Sequence, residues 1–110
     1  MDENNGNYMS MDPVTAMKGV RGSMTPEQLS NVAYEARCGA ARRIALVQLD
    51  DQNMFEIFGR TDPDPMVRRG CARNLKNMDV LKEIRYGDAD PSVREAACWQ
   101  MNKLMEQEGI

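Results

Sequence analysis

The chain has 110 residues, 42% of them hydrophobic and 28% charged, with a formal net charge of −3. That suits one small domain, the balance is too acidic for an ordinary nucleic-acid footprint, and no apolar run is long enough to span a bilayer. There is no histidine and there are three cysteines, which removes the commonest general base and leaves neither a disulfide framework nor a zinc motif.

The N-terminal stretch "MDENNGNYMSMDPVTAMKGVRGSM" is rich in Asn, Gly, Met and Ser and shows little apolar periodicity. Such a composition buries too little apolar surface to offset the entropy of ordering, so residues 1–24 read as a mobile tail. The alternative is an arm that packs through Met9, Met11 and Met17. No basic start precedes an apolar stretch, so no secretory signal is visible and the cytoplasm is the expected compartment.

Residues 25–110 are expected to carry the core. "TPEQLSNVAYEAR" (25–37) opens with Thr25 at the N-cap, Pro26 at N1 and Gln28 at N3, the pattern of a capping box. Leu29, Val32, Ala33 and Ala36 form its apolar stripe, and "CG" at 38–39 is read as its end.

From there the chain repeats itself every 26 residues. "ARRIALVQL" (41–49), "VRRGCARNL" (67–75) and "VREAACWQM" (93–101) align, and "MFEIFGR" (54–60) lies over "VLKEIRY" (80–86). Such a constant period is the signature of a solenoid. Asp64 and Asp90 each precede a proline, a strong helix start. Val67, Gly70, Cys71 and Leu75 then recur on one helical face, as do Val93, Ala96, Ala97 and Met101. Asn77 or Asp79 caps a second helix that runs to about Tyr86, with Gly87 as its stop, and the last unit continues as a longer helix. No segment alternates with period two. The expected fold is all-α, a short right-handed helical-repeat solenoid of about three 26-residue units plus an N-terminal helix.

"DPDPMVRRGCARN", followed after a short gap by "VLKEIRYGDADPSVREAAC", resembles the leucine-rich repeat variant family, whose members repeat a "DPDxxVRxxxAxN … LxxLAxD" pattern. HEAT-type repeats are similar, with a longer period. The resemblance covers about residues 37–108 and implies a helical-repeat architecture. It departs at "NLKNM" (74–78), where the family has a proline-bearing turn leading into a tight 3₁₀-like helix. Some members of the family hold an iron–sulfur centre on an N-terminal cysteine cluster. "MDENNGNYMSMDPV" has no counterpart, so no cofactor is carried over.

Arg42, Arg68 and Arg94 occupy one slot of the repeat. They read either as a structural ladder, pairing with helix-start aspartates such as Asp62, Asp64, Asp88 and Asp90, or as a ladder for phosphate or carboxylate on a partner. Arg43, Arg69 and Arg73, with Arg37 and Arg60, form either a basic stripe for an acidic protein or a nucleic-acid backbone, or an ordinary solvated face. Residues 37–75 carry seven basic and five acidic side chains between more acidic ends. Trp99 lies off the apolar stripe. Either the C-terminal helix folds its own residues, such as Met105, around the ring, or Trp99 is an open contact residue. Cys71 and Cys98 fall in small apolar slots and read as packed thiols. Asp50 and Asp51 lack calcium-loop spacing and read as helix caps. No convergent acid–base set is visible. The expectation is a non-catalytic protein–protein interaction module, with Arg43, Arg69, Arg73 and Trp99 as contacts; the alternative is binding to a nucleic-acid backbone.

Overall fold

Short polar residues before proline set most of the helix starts. The structure, a computed structural model, describes residues 8–109. Among these residues are seven α-helices and no strands: α1 Pro13–Lys18, α2 Pro26–Glu35, α3 Gly39–Leu49, α4 Gln52–Thr61, α5 Pro65–Asn74, α6 Met78–Gly87 and α7 Pro91–Gln107. The side chains of Asp12, Thr25, Asp51, Asp64, Asn77 and Asp90 accept backbone N–H groups at the N-termini of α1, α2, α4, α5, α6 and α7. Each such cap stabilises a helix by about 1 kcal/mol. Thr25 and Gln28 complete a reciprocal capping box, whereas Cys38 begins α3 without a side-chain cap.

The helices start at residues 13, 26, 39, 52, 65, 78 and 91, thirteen apart throughout. Backbone geometry recurs with twice that period. Ala36, Asp62 and Asp88 end α2, α4 and α6 in nearly one extended conformation, with φ of −61°, −64° and −70° and ψ of 136°, 135° and 140°. Two residues after each, Cys38, Asp64 and Asp90 are again extended and open the next helix.

The chain divides into two compact units, one ending at Asp50 and the other beginning at Asp51. Asp50 itself has left-handed backbone, φ 50°, a conformation that aspartate tolerates better than most residues. In the first unit α3 packs against both α1 and α2. Its buried residues include Ala16, Val20, Leu29, Val32, Ala33, Ala41, Ala45 and Leu46. Residues 13–18, expected in a mobile tail, thus form a helix that buries Ala16. Of the methionines in the alternative of a packed arm, Met9 is half-buried and Met11 and Met17 are exposed, while Ala16 and Val20 are buried. Residues 1–7 of the expected tail lie outside the described residues. Gly39 opens α3 and does not close α2, because Ala36 already turns the chain out of the helix.

In the second unit α5 packs on α4 and on α7, α6 packs on α7, and α4 touches α6. Phe55, Phe58, Val67, Cys71, Leu75, Val80, Leu81, Ile84, Val93 and Ala97 are buried. Each large apolar side chain among them contributes about 1.5–3 kcal/mol. Gly59 permits the close approach of α4, since a Cβ there would lie 3.2 Å from the Cβ of Cys71 and 3.6 Å from Cδ1 of Ile84. The link between α5 and α6, where the resembling family has proline, is held by side chains instead. The Gln52 amide donates to the Asn74 carbonyl at 2.8 Å and accepts from the Lys76 N–H at 2.9 Å. The Gln100 amide donates to the Leu75 carbonyl at 2.8 Å. These bonds satisfy backbone groups that neither helix can pair. The helix that follows, α6, is a regular α-helix of ten residues, not a 3₁₀ turn.

Candidate interaction surface

The three ladder arginines use one hydrogen bond in common. Nη1 of Arg42, Arg68 and Arg94 donates to the carbonyl six residues earlier, those of Ala36, Asp62 and Asp88, at 2.9, 2.7 and 2.6 Å. Each of these carbonyls belongs to the extended residue that ends the preceding helix, so the arginine closes a turn whose backbone oxygen has left its helix.

Arg68 does more. Its Nε and Nη2 donate to the two carboxylate oxygens of Asp88 at 2.9 and 3.2 Å. This forked pair is largely shielded, with 15% of the Arg68 side chain and 7% of the Asp88 side chain exposed. The hydrogen bond to Asp88 pushes the Arg68 guanidinium further above its ordinary value, against the opposing effect of burial. Asp88 also accepts the Asp90 N–H at 2.9 Å, as Asp62 accepts the Asp64 N–H at 2.8 Å.

The other ladder residues, Asp64 and Asp90, take a different part. Their carboxylates accept from the backbone of Met66 and Ser92 and hold the starts of α5 and α7. Bonds from the Ser92 hydroxyl and N–H hold the Asp90 carboxyl below the usual carboxylate range. Of the aspartates at the α7 start, the one that takes the Arg68 fork is therefore Asp88, and Asp90 caps.

The expected arginine stripe is distributed over the two units. Arg43 sits half-buried on α3, beside a shallow depression lined also by Ile44, Val47 and Gln48. Arg69 and Arg73 lie one turn apart on α5, half-buried and exposed respectively. Arg60 is committed to an exposed ion pair with Glu83 at 3.1 Å, which links α4 to α6, and Arg37 is exposed.

Arg73 and Trp99 come together. The Arg73 guanidinium lies 5.3 Å from the centroid of the Trp99 ring, and Nζ of Lys103 lies 5.0 Å from the same centroid. Both are cation–π distances. Trp99 keeps 46% of its surface exposed, so the ring is an open aromatic plate with two cations over it. Lys103 was not among the contacts expected from sequence. Its spacing of four residues from Trp99 on one helix is the signal that finds it.

The cysteines are free thiols. Burial, reinforced by the charge of Asp62, pushes the Cys71 thiol up to about 12, while Cys38 and Cys98 are half-buried. Among the described residues no group of three or more His, Cys, Asp or Glu side chains has the arrangement to hold a metal ion, and no helix is long and apolar enough to cross a membrane. No protein-family model, no curated protein and no solved structure matches the chain.

Proposed function

We propose that this chain is a non-catalytic protein–protein interaction module built from short helical repeats of the kind its sequence resembles, the leucine-rich repeat variant type. The 26-residue recurrence of helix starts, turn geometry and arginine–carbonyl bonds supports the repeat reading. A right-handed solenoid is the arrangement we assign to such units, because one helix pair cannot bury its apolar face without a neighbour.

The observation that carries the binding reading is the exposed Trp99 ring with Arg73 and Lys103 over it. Large half-open aromatics beside arginine are favoured anchors of protein interfaces. The partner assigned is a protein whose acidic side chains meet Arg69, Arg73 and Lys103 while an apolar group covers the indole. The cytoplasm is the setting assigned, where free thiols persist.

The test is affinity capture with the full chain beside two variants, Trp99→Ala and the double Arg69→Glu, Arg73→Glu, each checked for wild-type helicity. A protein that binds wild type directly after purification, and loses affinity with both variants, supports the reading. Equal binding by all three removes this surface from consideration. The same ring and cations also suit a stacked base on a phosphate backbone. That second reading predicts nuclease-sensitive capture and an affinity that falls steeply with salt.

A further inference from the structure

We infer that Arg94 is an open carboxylate socket that docks an acidic helix-start segment, Asp-Xaa-Asp-Pro, of a partner protein. The inference rests on the interaction-module reading and names a second place where the partner is held.

Arg68 and Arg94 are 26 residues apart and anchor their guanidinium groups in the same way, Nη1 to the Asp62 and Asp88 carbonyls. With that atom fixed, Nε and Nη2 of Arg68 take the carboxylate of Asp88, and Asp88 is the first residue of "DADP" (88–91), the segment that starts α7. Among the described residues Arg94 meets no carboxylate; its one hydrogen-bond partner is the Asp88 carbonyl. Its Nη1 is anchored as that of Arg68 is, its remaining donors meet no carboxylate among the described residues, and an arginine fork recognises planar carboxylate by two parallel bonds.

The surroundings of Arg94 are those of an interface that is covered one repeat earlier and open here. Beyond Arg68, Ala72 on α5 and Leu75 at its C-cap are fully buried, and α7 packs on that helix. Their counterparts on α7, Cys98 and Met101, are only half-buried. An open depression of about 810 Å³ lies over this face, and Arg85, Asp90, Ser92, Arg94, Glu95 and Cys98 are among the residues that line it. Arg85, whose guanidinium lies 5.4 Å from the centroid of the Tyr86 ring, adds a second cation, and the carboxylates of Glu95 and of Asp90, which accepts from Ser92, stand at the same depression, so a ligand carboxylate is recognised by the directed fork of Arg94 and not by an excess of positive charge. The occupant that fits is the one this protein already uses against Arg68. It is an aspartate two residues ahead of a helix N-cap, followed by proline and a small apolar helix face that covers Cys98 and Met101.

The experiment uses the full chain and a fluorescein-labelled, end-blocked peptide copying residues 87–97, which holds "DADP". Fluorescence anisotropy measures binding to wild type, to Arg94→Lys, which keeps the charge and loses the fork, and to Arg68→Lys. A second peptide carries Asp88→Asn, so the ligand can be altered without touching the fold of the protein. The expected result is saturable binding to wild type that weakens about tenfold or more with Arg94→Lys. The Asp88→Asn peptide should show a similar loss, with little further loss when the two changes are combined. Loss with Arg68→Lys but not with Arg94→Lys would mean that the peptide displaces the protein's own segment, and would overturn the inference. Equal binding of the two peptides, or no binding to wild type, would overturn it as well. Neither result touches the Trp99 reading, which is decided by other variants and a different ligand.

Discussion

Replacing Arg68 by alanine removes three hydrogen bonds at once, two to the Asp88 carboxylate and one to the Asp62 carbonyl. Net contributions near 1 kcal/mol apiece, raised for the charged partner, give a loss of about 3 kcal/mol. Solvent screening reduces this little, because the two side chains are only 15% and 7% exposed. Asp88 keeps one bond, from the Asp90 N–H, which limits the penalty for an orphaned charge. In a unit of this size 1 kcal/mol moves the melting temperature by about 4–8 °C, so Arg68→Ala should lower it by about 12–24 °C. Arg94→Ala is the internal control. Among the described residues it loses the carbonyl bond to Asp88 alone and should cost about 1 kcal/mol. Urea unfolding followed both by helical circular dichroism and by Trp99 fluorescence gives the two values. A cycle with Asp88→Asn isolates the coupling of the pair. If Arg68→Ala proves no worse than Arg94→Ala, the fork to Asp88 adds nothing and the reasoning from its geometry fails.

Three further outcomes follow from other parts of the structure. Cys71, buried and with its thiol pushed up to about 12, should resist a thiol reagent at pH 8 until the protein unfolds, while the half-buried Cys38 and Cys98 react first; a three-thiol burst in native buffer contradicts that burial. The Asp90 carboxyl is held below its ordinary 3.8 by Ser92, so its stabilisation is complete above that pH and drains away as pH falls toward the lowered value. Acid titration of Asp90→Asn should accordingly show a shallower loss of stability below pH 4 than wild type, and parallel curves would contradict the cap. Deleting residues 93–110 strips away the helix on which both α5 and α6 pack, and the remaining second unit should lose its cooperative melt, which calorimetry of the 1–92 fragment measures.

How much of this was legible in the sequence depends on how local the responsible chemistry is. Helix starts were readable because Asp64-Pro65, Asp90-Pro91 and Thr25-Pro26 act within four residues. The buried faces were readable because Val67, Cys71 and Leu75, then Val93 and Ala97, follow helical spacing. The partner of Arg68 was not readable. Asp88 and Asp90 are the same residue type two positions apart, and only the extended turn decides that Asp88 faces the arginine while Asp90 turns back onto Ser92. The clamps from Gln52 and Gln100 span 22–25 residues and leave no periodic trace. The pairing of Arg73 with Trp99 across two helices is equally non-local.

Helix α1 shows a signal that was present but masked by composition. Asp12 precedes Pro13, and its N–H donates to the Ser10 hydroxyl at 3.0 Å, the bond that Asp64 makes to Asp62 and Asp90 makes to Asp88. Ser10 stands 26 residues before Ala36, 52 before Asp62 and 78 before Asp88, so the turn recurs in a stretch whose Asn, Gly and Met content argues for a tail. Composition measures how much apolar surface a segment can bury, and for α1 that is little beyond Ala16. Phase measures whether a segment occupies the place a repeat reserves for it. When the turn chemistry falls on the period, a serine can serve where later units use aspartate, because the donor it satisfies is the same backbone N–H. Substituting Ser10 by alanine therefore tests the phase argument alone: loss of α1 helicity and faster proteolysis after Lys18 are expected, and a variant as resistant as wild type would show that α1 stands on its Asp12 cap without the repeated turn.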